Sequence, residues 1–348
     1  VNKIFLILLL LTPLAVVADV LQWSPLAIFL ISAAAIIPIA KFIGDATEEL
    51  AARTSPAVGG LLNATFGNAT ELIIGVFALQ AGLVEVVKAS ITGSIIGNLL
   101  FVLGTAMLVG GWGRERQHFN ATGAKAQGSM LLLATTALVI PAIFLFTAGG
   151  GGQVTIESLS VFVAVLMILA YAANLLFTLH THKHLYQEEE RITAPHWSVR
   201  KSLVILFFAT IGAALVSEIL VGAIRPLIEV FGWTELFIGV IVIAIVGNAA
   251  EHLSAITAAR KGRMDLSLQI SIGSATQIVM FVAPALVLMS LFFIQPMSLV
   301  FNVFEIVAII FAVFVTNSVI EDGESTWFEG FQLLVAYIII AVAFFFHP

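Results

Sequence analysis

The sequence predicts an all-α polytopic membrane protein of about eleven transmembrane helices. Hydrophobic residues make up 60% of the chain and charged residues only 10%, with a mean hydropathy of +1.09. Apolar stretches of about 20 residues, enough to cross a bilayer, recur from end to end. One unusual peptide occurs twice, 180 residues apart: Gly67-Asn68-Ala69-Thr70-Glu71 and Gly247-Asn248-Ala249-Ala250-Glu251. A soluble domain carries about 25% charged residues, so most of this surface must face lipid. The net charge of −6 says little about partners, because membrane proteins sort charge by loop. No basic run suits nucleic acid. The chain has no cysteine, which excludes disulfides and thiolate metal sites.

The predicted spans are 4–18, 25–50, 58–82, 88–111, 128–148, 157–180, 200–224, 235–259, 266–291, 298–320 and 328–346. Breakers punctuate them: Trp23-Ser24-Pro25, Thr54-Ser55-Pro56, Gly110-Gly111-Trp112-Gly113, the glycines 149–152, and Gln295-Pro296. Residues 1–20 are read as one extra N-terminal helix, 21–181 as a first five-helix repeat, 182–199 as a polar, acidic cytosolic linker, and 200–348 as a second five-helix repeat. Lys3, an apolar run and Val16-Val17-Ala18 also fit a signal peptide; its removal would leave ten helices.

Basic residues set the expected orientation. With a cytoplasmic N-terminus and an outside C-terminus, inside segments hold twelve bases and outside segments only Lys88 and Arg225. The last inside segment departs from the pattern, carrying Glu321, Asp322 and Glu324 with no base. An odd number of spans per repeat turns the second copy upside down. The 180-residue register extends to Gly93-Ser94 with Gly273-Ser274 and to Phe101 with Phe281. Inverted repeats of this kind typify secondary transporters, whose sites lie near the midplane where the repeats meet.

A carboxylate at mid-membrane is expensive and marks an ion or proton route by default. In helical geometry Gly67, Asn68 and Glu71 share a face, as do Gly247, Asn248 and Glu251. Glycine permits close helix approach or a local break that frees backbone carbonyls as ligands. Oxygen-only donors suit a hard cation, and Ca²⁺ accepts six to eight of them. Two facing carboxylates neutralise a divalent ion. Without metal, their mutual repulsion lets protons take its place. A single copy of the peptide would be weak evidence; two copies in oppositely oriented spans point to one shared site. Mn²⁺ suits much the same donors.

Further motifs surround the pair. In the first half they are Ala46-Thr47-Glu48-Glu49-Leu50-Ala51, Gly59 to Glu71, and Gly93-Ser94-Ile95-Ile96-Gly97-Asn98; in the second, Val216-Ser217-Glu218, Gly247 to His252, Gly273 to Gln277, and Trp327-Phe328-Glu329-Gly330. On these residues the chain resembles the Ca²⁺/H⁺ antiporter (cation/proton exchanger) family of the Ca²⁺:cation antiporter superfamily, over nearly its whole length after the first helix. The resemblance implies Glu71 and Glu251 as carriers of Ca²⁺ or H⁺, with Asn68, Asn248, Ser94, Asn98, Ser274 and Gln277 around the cavity. It implies Glu49 and Glu218 as proton relays along a cytosolic access route, and sliding of each repeat's first helix as the switch. It implies no cofactor, since Ca²⁺ and H⁺ are substrates. A prokaryotic cell membrane is the expected setting, and oligomerisation stays open.

Other polar residues have simpler readings. Glu305 sits inside the tenth span, where structural pairing and a proton-path role both stand. Asp45 and Glu48 suit interfacial solvation. His252 points about 100° away from Glu251 on a helix, favouring packing or tuning over ligation. His180, His182 and His184, like the run Gln187 to Arg191, read as solvated loop. A sodium- or potassium-coupled Ca²⁺ exchanger is the near alternative, and a cation channel a more distant one. An intramembrane hydrolase lacks a His-Glu-x-x-His motif or the glycines expected around an acid such as Asp45.

Overall fold

The computed structural model describes residues 3–54, 56–147, 153–182 and 196–347. The glycines at 149–152, His184 and the acidic run at 187–191 lie outside the described residues. The chain forms α1 (Ile4–Val20), α2 (Pro25–Ala51), α3 (Pro56–Phe66), α4 (Ala69–Gln80), α5 (Val84–Gly111), α6 (Ala121–Thr147) and α7 (Thr155–Thr181). Beyond residue 196 it forms α8 (Val199–Phe231), α9 (Glu235–Gly247), α10 (Ala249–Arg260), α11 (Met264–Ser290), α12 (Val303–Val319) and α13 (Trp327–Phe346). Among the described residues seven helices are long and apolar enough to cross a membrane, and the α9–α10 pair, bent by 61°, makes an eighth. The other stretches of the eleven-span expectation are shorter here: α1, the interrupted α3–α4 segment, and α12.

Polar residues at the helix starts explain most boundaries. Ser24, Ser198 and Thr234 accept backbone N–H groups as N-caps, and Asn302-Glu305 and Thr326-Glu329 form capping boxes. Two boundaries differ from expectation because hydropathy is a poor guide to helix ends. Helix α6 begins at Ala121 rather than 128, with Asn120 accepting the Gly123 N–H at 3.0 Å. Helix α8 continues through Arg225 to Phe231, where Gly232 takes a left-handed conformation.

The two halves share local features at the 180-residue spacing. Asn68 (φ −100°, ψ 20°) and Asn248 (φ −93°, ψ 8°) each interrupt a helix and begin the next. Gly82 and Gly262 end those next helices with positive φ, and the N–H groups of Leu83 and Arg263 reach back to the carbonyls of Ala78 and Ala258. Helix α5 widens into a π segment at Gly97–Val102, and α11 does so at Ile278–Val282; such bulges concentrate at functional sites.

Helices α5 and α11 form the centre: 83% and 67% of their most apolar windows are buried, against 22% for α7 and α13. Small and hydroxylated residues, Thr92-Gly93-Ser94 and Ser271 to Thr276, let neighbours approach them closely. Helix α13 crosses α5 where Gly330 meets Gly104, and α7 lies along α11. The first helices of the two halves, α2 and α8, pack side by side. At one end, strands β1 (Gln117–His118) and β2 (Glu324–Ser325) pair antiparallel. That pairing explains the acidic last loop: Arg116, from the other loop, pairs with Glu324, and His118 lies 3.4 Å from it. The Glu324 carboxylate in turn strengthens the hold of Arg116 on its proton.

A Cβ at Gly330 would lie 2.4 Å from the Leu108 nitrogen, whereas nothing lies within 4 Å of one at Gly222. Thermal unfolding in detergent should show Gly330→Val destabilised by about 1–3 kcal/mol, the usual cost of overpacking. Gly222→Ala should lose nothing.

Candidate functional site

The breaks at Asn68 and Asn248 put Glu71 and Glu251 in the first turn of α4 and α10. Both breaks lie deep in the bundle, with Asn68 and Asn248 0% and 1% exposed. The freed polar groups are tied across the two halves. Asn68 donates from Nδ2 to Gln277 Oε1 at 2.7 Å, and Asn248 donates to Ser94 Oγ at 2.8 Å and to the Ala244 carbonyl at 2.9 Å. Asn98 donates to Asn248 Oδ1 at 3.1 Å and to Ser274 Oγ at 3.0 Å. The Ser274 hydroxyl in turn donates a hydrogen bond to Glu251 Oε2 at 3.0 Å. A chain of amides and hydroxyls therefore runs from α5 through the α9–α10 break to one glutamate.

Glu71 has different surroundings. Its two carboxylate oxygens are buried and meet no hydrogen-bond donor among the described residues. The carboxyl group rests against Gly247: a Cβ there would lie 3.3 Å from Oε1 and 3.6 Å from Cδ. Glu71 and Glu251 are near enough to repel each other electrostatically. The duplicated peptides thus meet, with the acid of the first seated on the glycine of the second.

Glu251 lines a cavity of about 700 Å³. It extends from Glu48, Ala51 and Leu179, beside the helix ends that lead to Arg53 and Thr181, down to Gly67, Gly247, Glu251, Ser274 and Gln277. Glu71 and Ser94 instead border a separate cleft of about 20 Å³. Asn68, Asn98 and Asn248 sit behind these surfaces as the scaffold that holds them.

The acids expected along the access route stand elsewhere. Glu49 turns from the cavity and accepts the Trp197 N–H at 3.0 Å, which ties α2 to the start of α8. Its neighbour Glu48 lines the cavity instead, because adjacent helical residues point about 100° apart. Glu218 is exposed on α8 and does not border the cavity. Asp45 also faces the cavity, paired with Lys41 one turn away. Residues not anticipated from the sequence complete the wall, among them Asn63, Gln127, Tyr171, Asn174 and Thr178. Tyr171, Asn174 and Thr178 fall at helical spacing on the otherwise apolar α7, and that stripe was the available signal.

Glu305 is buried and fully engaged. It accepts the Asn302 N–H at 2.9 Å and the Thr92 hydroxyl at 3.1 Å, while its own N–H donates to Asn302 Oδ1 at 2.8 Å. That is a capping box with one added partner, and it supports the structural reading. His252 is buried edge-on to Phe101, with ring centroids 6.0 Å apart. Phe101 also packs on Tyr337, and its counterpart Phe281 packs on Tyr171. His182 stacks on Phe177 and bonds with the Thr181 hydroxyl.

The chain was compared with known proteins. The sodium/calcium exchanger protein family matches it over residues 24–180 and 201–346. It is 46% identical to a Ca²⁺/H⁺ antiporter of Aphanothece halophytica, covering 100% of this chain and 97% of that protein. It is equally identical to the Ca²⁺/H⁺ antiporter ChaA of Bacillus subtilis, covering 99% of each. The solved structure of native YfkE superposes with a TM-score of 0.87 at 43% identity, covering 99% of this chain and 100% of that one.

The capping geometry of Glu305 yields a stability prediction. Glu305→Ala removes the box and a buried acceptor, so thermal unfolding should show a loss of about 1–2 kcal/mol. Glu305→Gln keeps one oxygen to accept the Asn302 N–H and offers an amide N–H that the Thr92 hydroxyl can accept, and should lose less.

Proposed function

Because the chain belongs to the sodium/calcium exchanger protein family, we propose that it is a secondary transporter, not an enzyme, that exchanges Ca²⁺ for H⁺ across a membrane. Two relatives 46% identical to it, which match over nearly their full length, are Ca²⁺/H⁺ antiporters by name. Ca²⁺ and H⁺ are its substrates, and the exchange needs no cofactor. The observation that carries the mechanism is the position of Glu71, whose buried oxygens have no hydrogen-bond partner among the described residues and which rests against Gly247, while Glu251 lines an open cavity. A carboxylate so placed must be neutralised by a cation or a proton, since an uncompensated buried charge costs several kcal/mol.

In this reading a cation entering the cavity meets Glu251 first and is then shared with Glu71. Asn68, Asn248, Ser94, Ser274, Gln277 and backbone carbonyls at Gly67 and Gly247 supply or orient the remaining oxygens. Two carboxylates and several neutral oxygens match the preference of Ca²⁺ for a flexible oxygen shell. Protons occupy the same carboxylates when the ion leaves, so the two substrates exclude each other and exchange follows. Residues 21–181 and 200–348 act as two inverted five-helix repeats, and their relative movement gives alternating access. By the distribution of basic residues, the N-terminus and the open cavity face the cytoplasm. Inward proton flow then drives Ca²⁺ outward.

The test is reconstitution. In proteoliposomes an imposed pH gradient should drive ⁴⁵Ca²⁺ uptake, and Glu71→Gln or Glu251→Gln should abolish it. A sodium gradient should not substitute, and uptake driven by sodium alone would overturn the proton assignment. Competition also fixes the sign of the pH effect: half-saturating Ca²⁺ should rise as the pH of the Ca²⁺-loading side falls. A half-saturation independent of pH would separate the two sites and contradict the mechanism.

A further inference from the structure

The small cleft beside Glu71 and the large cavity beside Glu251 are lined by corresponding residues. The cleft is bordered by Glu71, Ile74, Val86, Ser90, Ser94 and Ile243. Shifted by 180 positions these become Glu251, Ser254, Leu266, Ile270, Ser274 and Asn63, all of which line the cavity. Six of the thirteen residues bordering the cleft thus recur in the lining of the cavity, with the cleft closed to about 20 Å³ and the cavity open to about 700 Å³.

The difference lies in how closely the glycine-bearing helices approach one another. On the closed side α9 lies directly on α5. A Cβ at Gly239 would sit 2.4 Å from Ala89 Cβ and 2.7 Å from the Val86 carbonyl oxygen, and one at Gly93 would sit 2.0 Å from the Val240 carbonyl oxygen. No side chain fits at either position while this contact is made. The corresponding glycines are Gly59 and Gly273, with Gly60 in place of Val240. Gly60 and Gly273 both line the open cavity, and nothing lies within 4 Å of a Cβ at Gly273. Helix α3 therefore stands off α11 where α9 touches α5. Within α9 the contacting turn is a π segment, Ile238–Ile243, whereas residues 58–63 of α3 are α-helical.

We propose that Gly93 and Gly239 form the seal that shuts the cleft beside Glu71, the second route that alternating access requires, lined there by Ile74, Val86, Ser90 and Ile243. Gly273 and Gly59 form the matching seal, which closes the large cavity when that second route opens. The inference rests on the exchange reading and adds to it the two seals and the residues of the unseen path. One consequence is counterintuitive. A side chain at Gly273 has free space in this structure and is forbidden only in the opposite state. Gly273→Val should fold normally yet stop the cycle, whereas Gly239→Ala should wedge the closed route open.

The chain has no cysteine, so single reporters are clean. Ser254→Cys reports the open cavity and Ser90→Cys the closed cleft, each read with a membrane-impermeant thiol reagent added to the side its route faces. In proteoliposomes under a pH gradient, Gly273→Val should cut ⁴⁵Ca²⁺ exchange by about tenfold or more, as overpacking of one state shifts the population toward the other. It should leave Ser254→Cys labelled at the parent rate and protect Ser90→Cys. Gly239→Ala should do the reverse, speeding Ser90→Cys labelling and slowing Ser254→Cys labelling. Parent-like exchange by Gly273→Val, or Ser90→Cys labelling indifferent to both substitutions, would overturn the proposal. If one variant fails to fold, the labelling pattern of the other decides. Labelling does not depend on which ions are carried, so a parent protein that moves no Ca²⁺ sinks the functional reading and leaves the seals to be judged on the thiols.

Discussion

The hydrogen-bonded cluster of Asn248, Asn98, Ser94 and Ser274 is the interaction on which the rest of the architecture depends. A bilayer core has no water to satisfy interrupted backbone or buried amides. Helices can therefore break at Asn68 and Asn248 only if the polar groups at the break find partners inside the protein. They find them on the opposite half: Asn248 on Ser94, Asn98 on Asn248 and Ser274, Asn68 on Gln277. The bonds that permit the breaks also fasten the halves together, and the breaks aim both glutamates inward. Fold and site share one set of side chains.

Symmetric sequence has produced an asymmetric site. Ser274 donates to Glu251 within the second half; the corresponding pair, Ser94 and Glu71, makes no such bond. One carboxylate is hydrogen-bonded and borders the cavity, and the other is seated against glycine. The proposed exchange would use this inequivalence: an ion would reach its ligands from one side at a time, past the acid that borders the cavity. The helices most exposed to lipid, α6, α7 and α13, bear few of these polar groups, and the burial of α5 and α11 places the network at the centre of the bundle.

Much of this was legible in the chain. Composition gave the membrane class, and the duplicated Gly-Asn-x-x-Glu marked the two helix breaks that the fold brings together, because a buried acid is too costly to recur by chance at matched depth. Serine and asparagine before apolar runs were the available signal for the caps at Ser24, Ser198 and Asn302. Access was harder to read. Glu49 and Glu48 are adjacent in sequence, and only the rotation of α2 decides that Glu48 meets the cavity while Glu49 holds Trp197. Glu218 belongs to no 180-residue pair with Glu49, whose counterpart by spacing is Glu229, and that mismatch was the available warning. The π segments and the left-handed glycines at 82 and 262 were also beyond hydropathy, which records where apolar residues fall and nothing of the backbone between them.

The central claim is that one cation is held jointly by both halves of the protein. A high-resolution structure determined with bound Ca²⁺ tests it most directly. It should show a single ion with an oxygen from Glu71 and an oxygen from Glu251 both at about 2.3–2.6 Å. An ion held at Asp45 and Glu48 alone, or two ions each bound to a single glutamate, would contradict it.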